Sequence, residues 1–223
     1  MKTVIAGAKV LLPEGVRQKQ AVVRDGRVAE IADHVPFEPG DRVIRAEIPA
    51  FGNQMIYAAL EGAAVGIAMG LTDEEIRAGI ASFSNVGRRS AVTVTDSVTL
   101  IDDSYNANPD SMRCAVDSLV QLPGRHVCLL SDMLEMGPES AEMHRTLGAY
   151  AREKGVAVVA AYGPFGREIA AGAGGVGHVF EDRESMIAAL PQLLRKGDSV
   201  LVKSSKGMQI GPVADAVKEL ELT

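Results

Sequence analysis

The chain has 223 residues, enough for one large domain or two smaller ones, and its 47% hydrophobic and 23% charged residues are typical of a soluble globular protein. Its net charge of −6 argues against a nucleic-acid-binding surface, which requires concentrated Lys and Arg. No apolar run reaches the roughly 20 residues that span a bilayer, and the amino terminus lacks the apolar stretch of a secretory signal. We therefore expect a cytoplasmic protein with no membrane span. Cys114 and Cys128 lack metal-ligand or redox spacing and are expected to be buried free thiols.

The first fifty residues have the pattern of short β-strands. Residues 21–31 predict a hairpin, because Asp25-Gly26 supplies the positive φ angles of a tight turn. Residues 41–48 alternate enough to be one more strand. Two helices are expected next, one over 54–69 ending at Gly70, and one that begins after the capping residue Thr72 and runs to about Phe83.

From residue 91 onward, apolar strands alternate with amphipathic helices. Strands are predicted at 98–101, 126–130, 156–161, 177–180 and 199–202, and helices at 110–121, 140–154, 164–171, 183–194 and 208–220. Connections of helical length imply mainly parallel strands with helices on both faces of the sheet. The sequence thus predicts an α/β fold, a doubly wound mainly parallel sheet, preceded by a short helical segment and a small β segment.

The polar groups of this sheet gather where its first strand ends, at Asp102 and Asp103. Ligands bind at such strand ends in open α/β sheets, where carboxylates can accept hydrogen bonds from ribose hydroxyls. Tyr105 offers a flat face for a base. The alternative is a purely structural turn in which Asn108 or Asp110 caps the next helix, and composition alone leaves both open.

Other candidate groups are each open to a structural alternative. Arg88 could bridge phosphates or be a solvated linker charge. Residues 131–137 could contribute to a site or form an acidic turn, and 203–207 could hold an anion or carboxylate or be a solvated loop. The histidines form no metal-ligand pair, so no metal site is predicted. The sequence contains no Gly-x-x-x-x-Gly-Lys-Ser/Thr phosphate loop.

From about Ile48 to the end, the chain resembles the Mur ligase family. The resemblance is carried by Gly87-Arg88, by Ile101–Met112 with its Asp-Asp-Ser-Tyr-Asn-Ala-Asn-Pro run, by Asp132–Gly137 with Ser140, His144 and Gly148, by Phe180–Asp182, and by Leu201–Lys203 with Ser205. These motifs occur in the family's order over about three quarters of the chain.

The resemblance implies that residues 48–86 are the helical tail of a central ATPase domain and that 87–223 are a C-terminal Rossmann-like domain. It implies an ATP- and Mg²⁺-dependent ligase that adds D-alanyl-D-alanine to UDP-N-acetylmuramoyl-tripeptide in peptidoglycan synthesis. By position, Arg88 would face the ATP phosphates and Asp103 the ribose. Tyr105, Asn106 and Asn108 would line the nucleotide or dipeptide cleft, and Lys203 and Ser205 would lie by the dipeptide. With the phosphate loop and metal site missing, we expect no ligation unless another chain supplies those domains.

Residues 1–47 are similar to the small β segment that opens many amidohydrolases, although the His-x-His expected after that segment is absent. This similarity indicates a fusion or a rearranged gene, and a divergent remnant of the ATPase sheet is the alternative. Two further functions therefore stay open beside the ligase: a non-catalytic nucleotide- or dipeptide-binding module, and an amidohydrolase-like hydrolase.

Overall fold

The computed structural model describes the backbone of residues 3–12, 15–24, 27–32, 42–52 and 54–222, and the side chains of 43–52 and 55–222. The chain divides into two units, Met1–Ser84 and Asn85–Thr223. Across the described residues, no helix has the length and apolar character needed to cross a membrane.

The first unit contains a four-stranded sheet in the order β3-β2-β1-β4. Its strands are β1 (Thr3–Leu12), β2 (Gly15–Arg24), β3 (Arg27–Ala32) and β4 (Arg42–Arg45). β2 and β3 pair antiparallel with Arg24 opposite Arg27, so the predicted hairpin is confirmed. The Asp25-Gly26 turn itself lies outside the described residues. The strand predicted at 41–48 is observed as the shorter β4, which ends at Arg45.

Two helices complete this unit, α1 (Gln54–Ala68) and α2 (Asp73–Ala81). Thr72 caps α2 as the sequence predicts, because its side chain accepts the N–H of Glu75 at 3.2 Å while the Glu75 carboxylate accepts the N–H of Thr72 at 2.8 Å. A small apolar core joins the helices to β4; it is formed by Ile44, Ala46, Ile56, Leu60, Ala63, Ile76 and Ile80.

The second unit is built on a six-stranded sheet in the order β5-β6-β10-β7-β8-β9. Its strands are β5 (Ala91–Val94), β6 (Val98–Asp103), β7 (His126–Leu130), β8 (Val158–Tyr162), β9 (Gly177–Phe180) and β10 (Asp198–Lys203). All neighbouring pairs are parallel except β5 and β6. The predicted α/β fold with a mainly parallel sheet is confirmed.

Five helices form two layers over this sheet: α3 (Pro109–Leu119), α4 (Ser140–Glu153), α5 (Gly166–Ala173), α6 (Arg183–Leu193) and α7 (Gly211–Glu219). α3 packs on α4 and α4 on α5, whereas α6 packs on α7. α4 and α5 approach closely because each has a glycine at the contact. A Cβ at Gly148 would lie 1.9 Å from the carbonyl oxygen of Ile169, and one at Gly172 would lie 1.9 Å from that of Arg145.

Three expectations are corrected by the structure. β5 was not predicted from the sequence. Its valines, Val92 and Val94, face solvent at this antiparallel edge of the sheet, so the strand has no apolar inner face. The helix expected over 208–220 begins only at Gly211, since Gln209 adopts a left-handed φ of 50°. Cys114 is exposed on α3 rather than buried, whereas Cys128 is buried as expected.

Candidate functional site

The candidate site lies where β6 and β10 end side by side. Their register places Asp103 opposite Lys203, so the last residues of two neighbouring parallel strands carry opposite charges. The chain leaves β6 into α3 and leaves β10 toward α7, and these two helices belong to different layers. A crevice at the carboxyl ends of strands whose connections diverge in this way is the usual ligand site of an open α/β sheet.

Lys203 is buried beneath this corner, with 2% of its surface exposed. Its ammonium pairs with the carboxylate of Asp103 and donates to the carbonyl oxygen of Asn106 at 2.8 Å. A buried ammonium is tolerated only when it is paired and hydrogen-bonded. Lys203 therefore fixes the loop after β6, and the alternative of a solvated loop lysine is wrong.

Asp102 is buried and has three partners of its own. Its carboxylate accepts the Ser104 hydroxyl at 2.6 Å and binds the Arg88 guanidinium at 3.0 Å and the Lys218 ammonium at 3.3 Å. The two acids at the end of β6 thus differ in exposure. Asp102 is buried within the α/β unit, whereas 14% of the surface of the Asp103 side chain is exposed.

The guanidinium of Arg88 contacts three residues of the α/β unit. Besides Asp102, its guanidinium binds both oxygens of Asp215 at 2.6 and 2.8 Å and donates to the Gly211 carbonyl at 2.9 Å. The hydrogen bonds with Asp215 raise the pKa of Arg88 further. Both members of the Arg88–Asp215 pair are partly exposed, at 38% and 49%, so this pair can open at low cost.

The segment Arg88–Ser90 is bonded to the corner along its length. The Tyr105 N–H donates to the Arg88 carbonyl at 3.0 Å, and the Ser90 N–H donates to the Asp103 carboxylate at 2.8 Å. The Arg89 guanidinium lies 3.8 Å from the centroid of the Tyr105 ring, and the Lys206 ammonium lies 5.5 Å from it. A base that stacks on Tyr105 would therefore have to share the ring with these cations.

The remaining predicted residues surround the same loop. Asn108 caps α3: its side chain accepts the Ser111 N–H at 2.8 Å, with Pro109 in the first turn. Asn106 is exposed and contributes its carbonyl oxygen to Lys203. Ser205 is buried, donates to the Ala107 carbonyl at 3.3 Å, and accepts the Leu134 N–H at 2.9 Å. The structure thus gathers all seven predicted site residues around the ends of β6 and β10.

A second buried polar cluster follows β7, and the sequence reading missed its extent. The Asp132 carboxylate is buried and accepts the Phe165 N–H at 3.1 Å, and its burial raises the pKa of Asp132. His144 accepts the Met133 N–H at Nε2 (2.8 Å), contacts the Ser140 carbonyl through Nδ1 (2.6 Å) and stacks on Phe165. Because a backbone N–H can only donate and a carbonyl can only accept, His144 is the neutral tautomer protonated at Nδ1. The spacing of Asp132 and His144 on one turn and the following helix was the available signal.

No group of three His, Cys, Asp or Glu side chains that could hold a metal ion occurs within the described part of the chain. The two carboxylates of the corner are paired with cationic side chains, Asp102 with Arg88 and Lys218 and Asp103 with Lys203.

Comparison with known families decides the evolutionary relationship. Residues 87–206 match the family model "Mur ligase, glutamate ligase domain". The chain belongs to the Mur ligase family. The match covers β5 through the end of β10 and includes the corner, so the resemblance carried by the sequence motifs is confirmed.

Similar curated proteins are UDP-N-acetylmuramoyl-tripeptide–D-alanyl-D-alanine ligases. The Escherichia coli ligase is 35% identical over 175 residues, which are 77% of this chain and 38% of the ligase. The Bacillus subtilis ligase is 31% identical over 186 residues, or 79% of this chain and 40% of the ligase. This chain therefore spans about 40% of the length of the relatives it matches.

Solved structures of the ligase MurF share the fold. The chain matches MurF from Acinetobacter baumannii with a TM-score of 0.77 and 24% identity, covering 97% of this chain and 45% of that one. MurF from Thermotoga maritima, solved in complex with ADP, gives a TM-score of 0.69 at 20% identity, covering 97% of this chain and 46% of that one.

Proposed function

We propose that this chain is the C-terminal part of an ATP-dependent ligase that joins D-alanyl-D-alanine to UDP-N-acetylmuramoyl-tripeptide. The observation that carries the proposal is the corner at the end of β6, which lies inside the family match and sits in the crevice between strands whose connections diverge. The E. coli and B. subtilis relatives, which bear that activity in their names, support the choice of substrate.

In this proposal the corner forms one side of a nucleotide cleft. Asp103 would accept a ribose hydroxyl with the part of its carboxylate that remains exposed. Tyr105, Asn106 and Asn108 would line the same cleft. Arg88 would exchange its half-exposed partner Asp215 for the phosphates of ATP. The ion pair with Asp102 would hold the Arg88 guanidinium near the corner.

The proposed enzyme is incomplete without further domains. The sequence has no Gly-x-x-x-x-Gly-Lys-Ser/Thr phosphate loop, and the two carboxylates of its corner are already paired with cationic side chains. Residues 87–223 would be the C-terminal domain, and 48–86 the helical tail of a central ATPase domain whose remainder supplies both sites. ATP and Mg²⁺ would then supply the energy and charge neutralisation that activate the tripeptide carboxylate.

For residues 1–47, we favour a remnant of the ATPase sheet over an amidohydrolase fusion. The match to the A. baumannii structure spans 97% of this chain, so it extends over most of the amino-terminal sheet as well. A fusion to an unrelated fold would leave that segment outside the match.

The test is reconstitution. The purified chain is incubated with ATP, Mg²⁺, UDP-N-acetylmuramoyl-tripeptide and D-alanyl-D-alanine. A parallel reaction adds a second chain that carries the amino-terminal and ATPase domains of the E. coli ligase, and a third contains that second chain alone. We expect the pentapeptide product, detected by mass spectrometry, only in the mixture. Product from the purified chain alone would contradict incompleteness, and absence of product from the mixture would contradict the ligase.

A non-catalytic binding module is the second candidate, and the buried, fully bonded Lys203 and Ser205 are the observations that favour it. It predicts saturable binding of ATP or dipeptide without product in the mixture. Loss of nucleotide binding in Asp103→Ala and Asn106→Ala would locate that binding at the corner, whereas unchanged binding in both variants would leave the corner with its structural role.

A further inference from the structure

Four charged side chains beside the corner form a ring in which each cation lies next to both acids. Arg88 binds Asp102 at 3.0 Å and Asp215 at 2.6 Å. Lys218 binds Asp102 at 3.3 Å, and its ammonium lies 4.0 Å from the Asp215 carboxylate. Asp215 and Lys218 share a face of α7 because they are three residues apart. We call these four side chains the charge ring.

The two acids of the charge ring differ in the cost of losing a cation. Asp102 is 1% exposed, and a buried carboxylate that loses its last cationic partner is strongly destabilising. Its Oδ2 atom, however, bonds both Arg88 and Lys218, so one cation remains if the other moves. Asp215 is 49% exposed, and an ion pair at such a position contributes little. The contact between Arg88 and Asp215 is therefore the one that can open.

The two terminal nitrogens of Arg88 have separate partners. Nη1 donates to Asp102 and to the carbonyl oxygen of Gly211 at 2.9 Å. Nη2 donates to both oxygens of Asp215, at 2.6 and 2.8 Å, and to no other group among the described residues. Because the side chain is 38% exposed, an anion from solvent can reach it. Nη2 can thus exchange one anion for another while Nη1 stays anchored.

We infer that the charge ring exchanges ions when a polyphosphate binds: the polyphosphate displaces Asp215 from Nη2 of Arg88, and Lys218 moves onto the released carboxylate. The inference rests on the proposed ligase function for its placement of the ATP phosphates at Arg88. Asp215 is then a built-in competitor that lowers the affinity for polyphosphate. Lys218 raises that affinity without touching the ligand, because its ammonium on a flexible stem can close the distance of 4.0 Å to Asp215.

Removal of the competitor tests the first half of the exchange. NMR titrations of the full 223-residue chain measure the affinity for ATP and for inorganic triphosphate. Asp215→Asn should tighten both ligands about threefold, the range set by breaking an exposed ion pair. The control is Glu219→Gln, which removes the same charge from an exposed position one turn further along α7 and should change either affinity less than about 1.5-fold.

A second pair of variants tests the role of Lys218. Lys218→Gln should weaken both ligands about threefold in the wild type. It should have no effect in the Asp215→Asn background, because no carboxylate is then released that needs a cation. A lysine that bound the phosphates directly would weaken binding equally in both backgrounds. Lys196→Gln, at an exposed position before β10, is the control for loss of a positive charge and should change neither affinity.

A third comparison separates exchange from simple repulsion of the ligand by Asp215. In the Arg88→Gln background, Asp215→Asn should no longer tighten the polyphosphates, since the nitrogen for which they compete is gone. An undiminished gain in that background would show repulsion alone. A melting temperature near that of the wild type in each variant confirms that the fold is intact.

Four results would overturn the inference: no polyphosphate binding even in Asp215→Asn, no gain of affinity in that variant, an equal gain in Glu219→Gln, or an effect of Lys218→Gln that is independent of Asp215. The fate of the ligase proposal is read separately from reconstitution. Product formation with an unchanged KM for ATP in Asp215→Asn would reject the exchange and keep the ligase. The expected pattern of affinities without product would keep the exchange and reject the ligase.

Discussion

Replacing Lys203 with Met should be among the most destabilising single changes at the corner. Met fills the space of the aliphatic stem but lacks the ammonium. Its loss leaves the Asp103 carboxylate with the Ser90 N–H at 2.8 Å as its remaining backbone donor, and it leaves the Asn106 carbonyl without the bond at 2.8 Å.

The expected cost follows from the burial of the pair. Removing one partner of a buried ion pair typically costs 3–5 kcal/mol. Asp103 retains 14% exposure, so water can reach the orphaned carboxylate and the lower end applies. We expect the free energy of unfolding to fall by about 3 kcal/mol, which lowers the melting temperature by roughly 10 °C.

Urea denaturation followed by tyrosine fluorescence measures this change selectively. Three of the four tyrosines, Tyr105, Tyr150 and Tyr162, lie in the α/β unit, and the chain has no tryptophan. The exposed lysine before β10, in Lys196→Met, is the control and should cost less than about 0.5 kcal/mol.

A double variant separates the pair from simple loss of packing. Lys203→Met with Asp103→Asn removes both charges while the Asn oxygen can still accept the Ser90 N–H. The double variant should cost about 2 kcal/mol less than the sum of the two single changes. A cost below about 1 kcal/mol for Lys203→Met, or strictly additive changes, would refute the reasoning.

Three further outcomes are expected. Asn108→Ala should lower the free energy of unfolding by about 1 kcal/mol, and Asn108→Asp should restore most of it, since either side chain can accept the Ser111 N–H; equal losses in both variants would contradict the cap. At about pH 8, a thiol reagent should modify Cys114 but not native Cys128, because Cys114 is exposed while burial raises the pKa of Cys128 to about 12; rapid loss of both thiols would contradict this. Burial also raises the pKa of Asp132 from 3.8, so the native state holds that proton more tightly than the unfolded state. The stability of the wild type should therefore fall relative to Asp132→Asn as pH rises above 3.8, and a difference that is constant in urea titrations would refute it.

The sequence predicts this fold well where the hydrophobic periodicity agrees with the residues that cap helices and form turns. The parallel strands are continuous apolar runs, and α3 begins at a recognisable cap, Asn108; in the first unit, Thr72 caps α2 in the same way. β5 was missed because an edge strand that exposes Val92 and Val94 does not produce an apolar inner face. The grouping of Asp103 with Lys203 could be anticipated only through the family's motifs, since a register between strands a hundred residues apart is a tertiary property.

Other contacts at the site could not be predicted from the sequence, because they form only when distant parts of the chain pack together. Asp215 lies on a helix with ordinary amphipathic spacing, and nothing local indicates that it binds Arg88. Lys203 has the sequence context of a loop cation, yet its burial depends on the neighbouring strand that brings a carboxylate to it. His144 has no nearby metal-ligand partner in sequence, so its buried hydrogen bonds emerge only when α4 packs over the β7 loop.

The bonds from Arg88 and Ser90 to the two acids of β6 also determine where the edge of the sheet begins. The Arg88 guanidinium binds Asp102 and the Ser90 N–H donates to Asp103, so this segment is held at the end of β6 directly before β5. β5 then starts at Ala91, which pairs with Asp102. Loss of the two acids would release three residues, or about 10 Å of chain, next to this edge strand. The carboxylates that end β6 therefore also fix the starting register of β5.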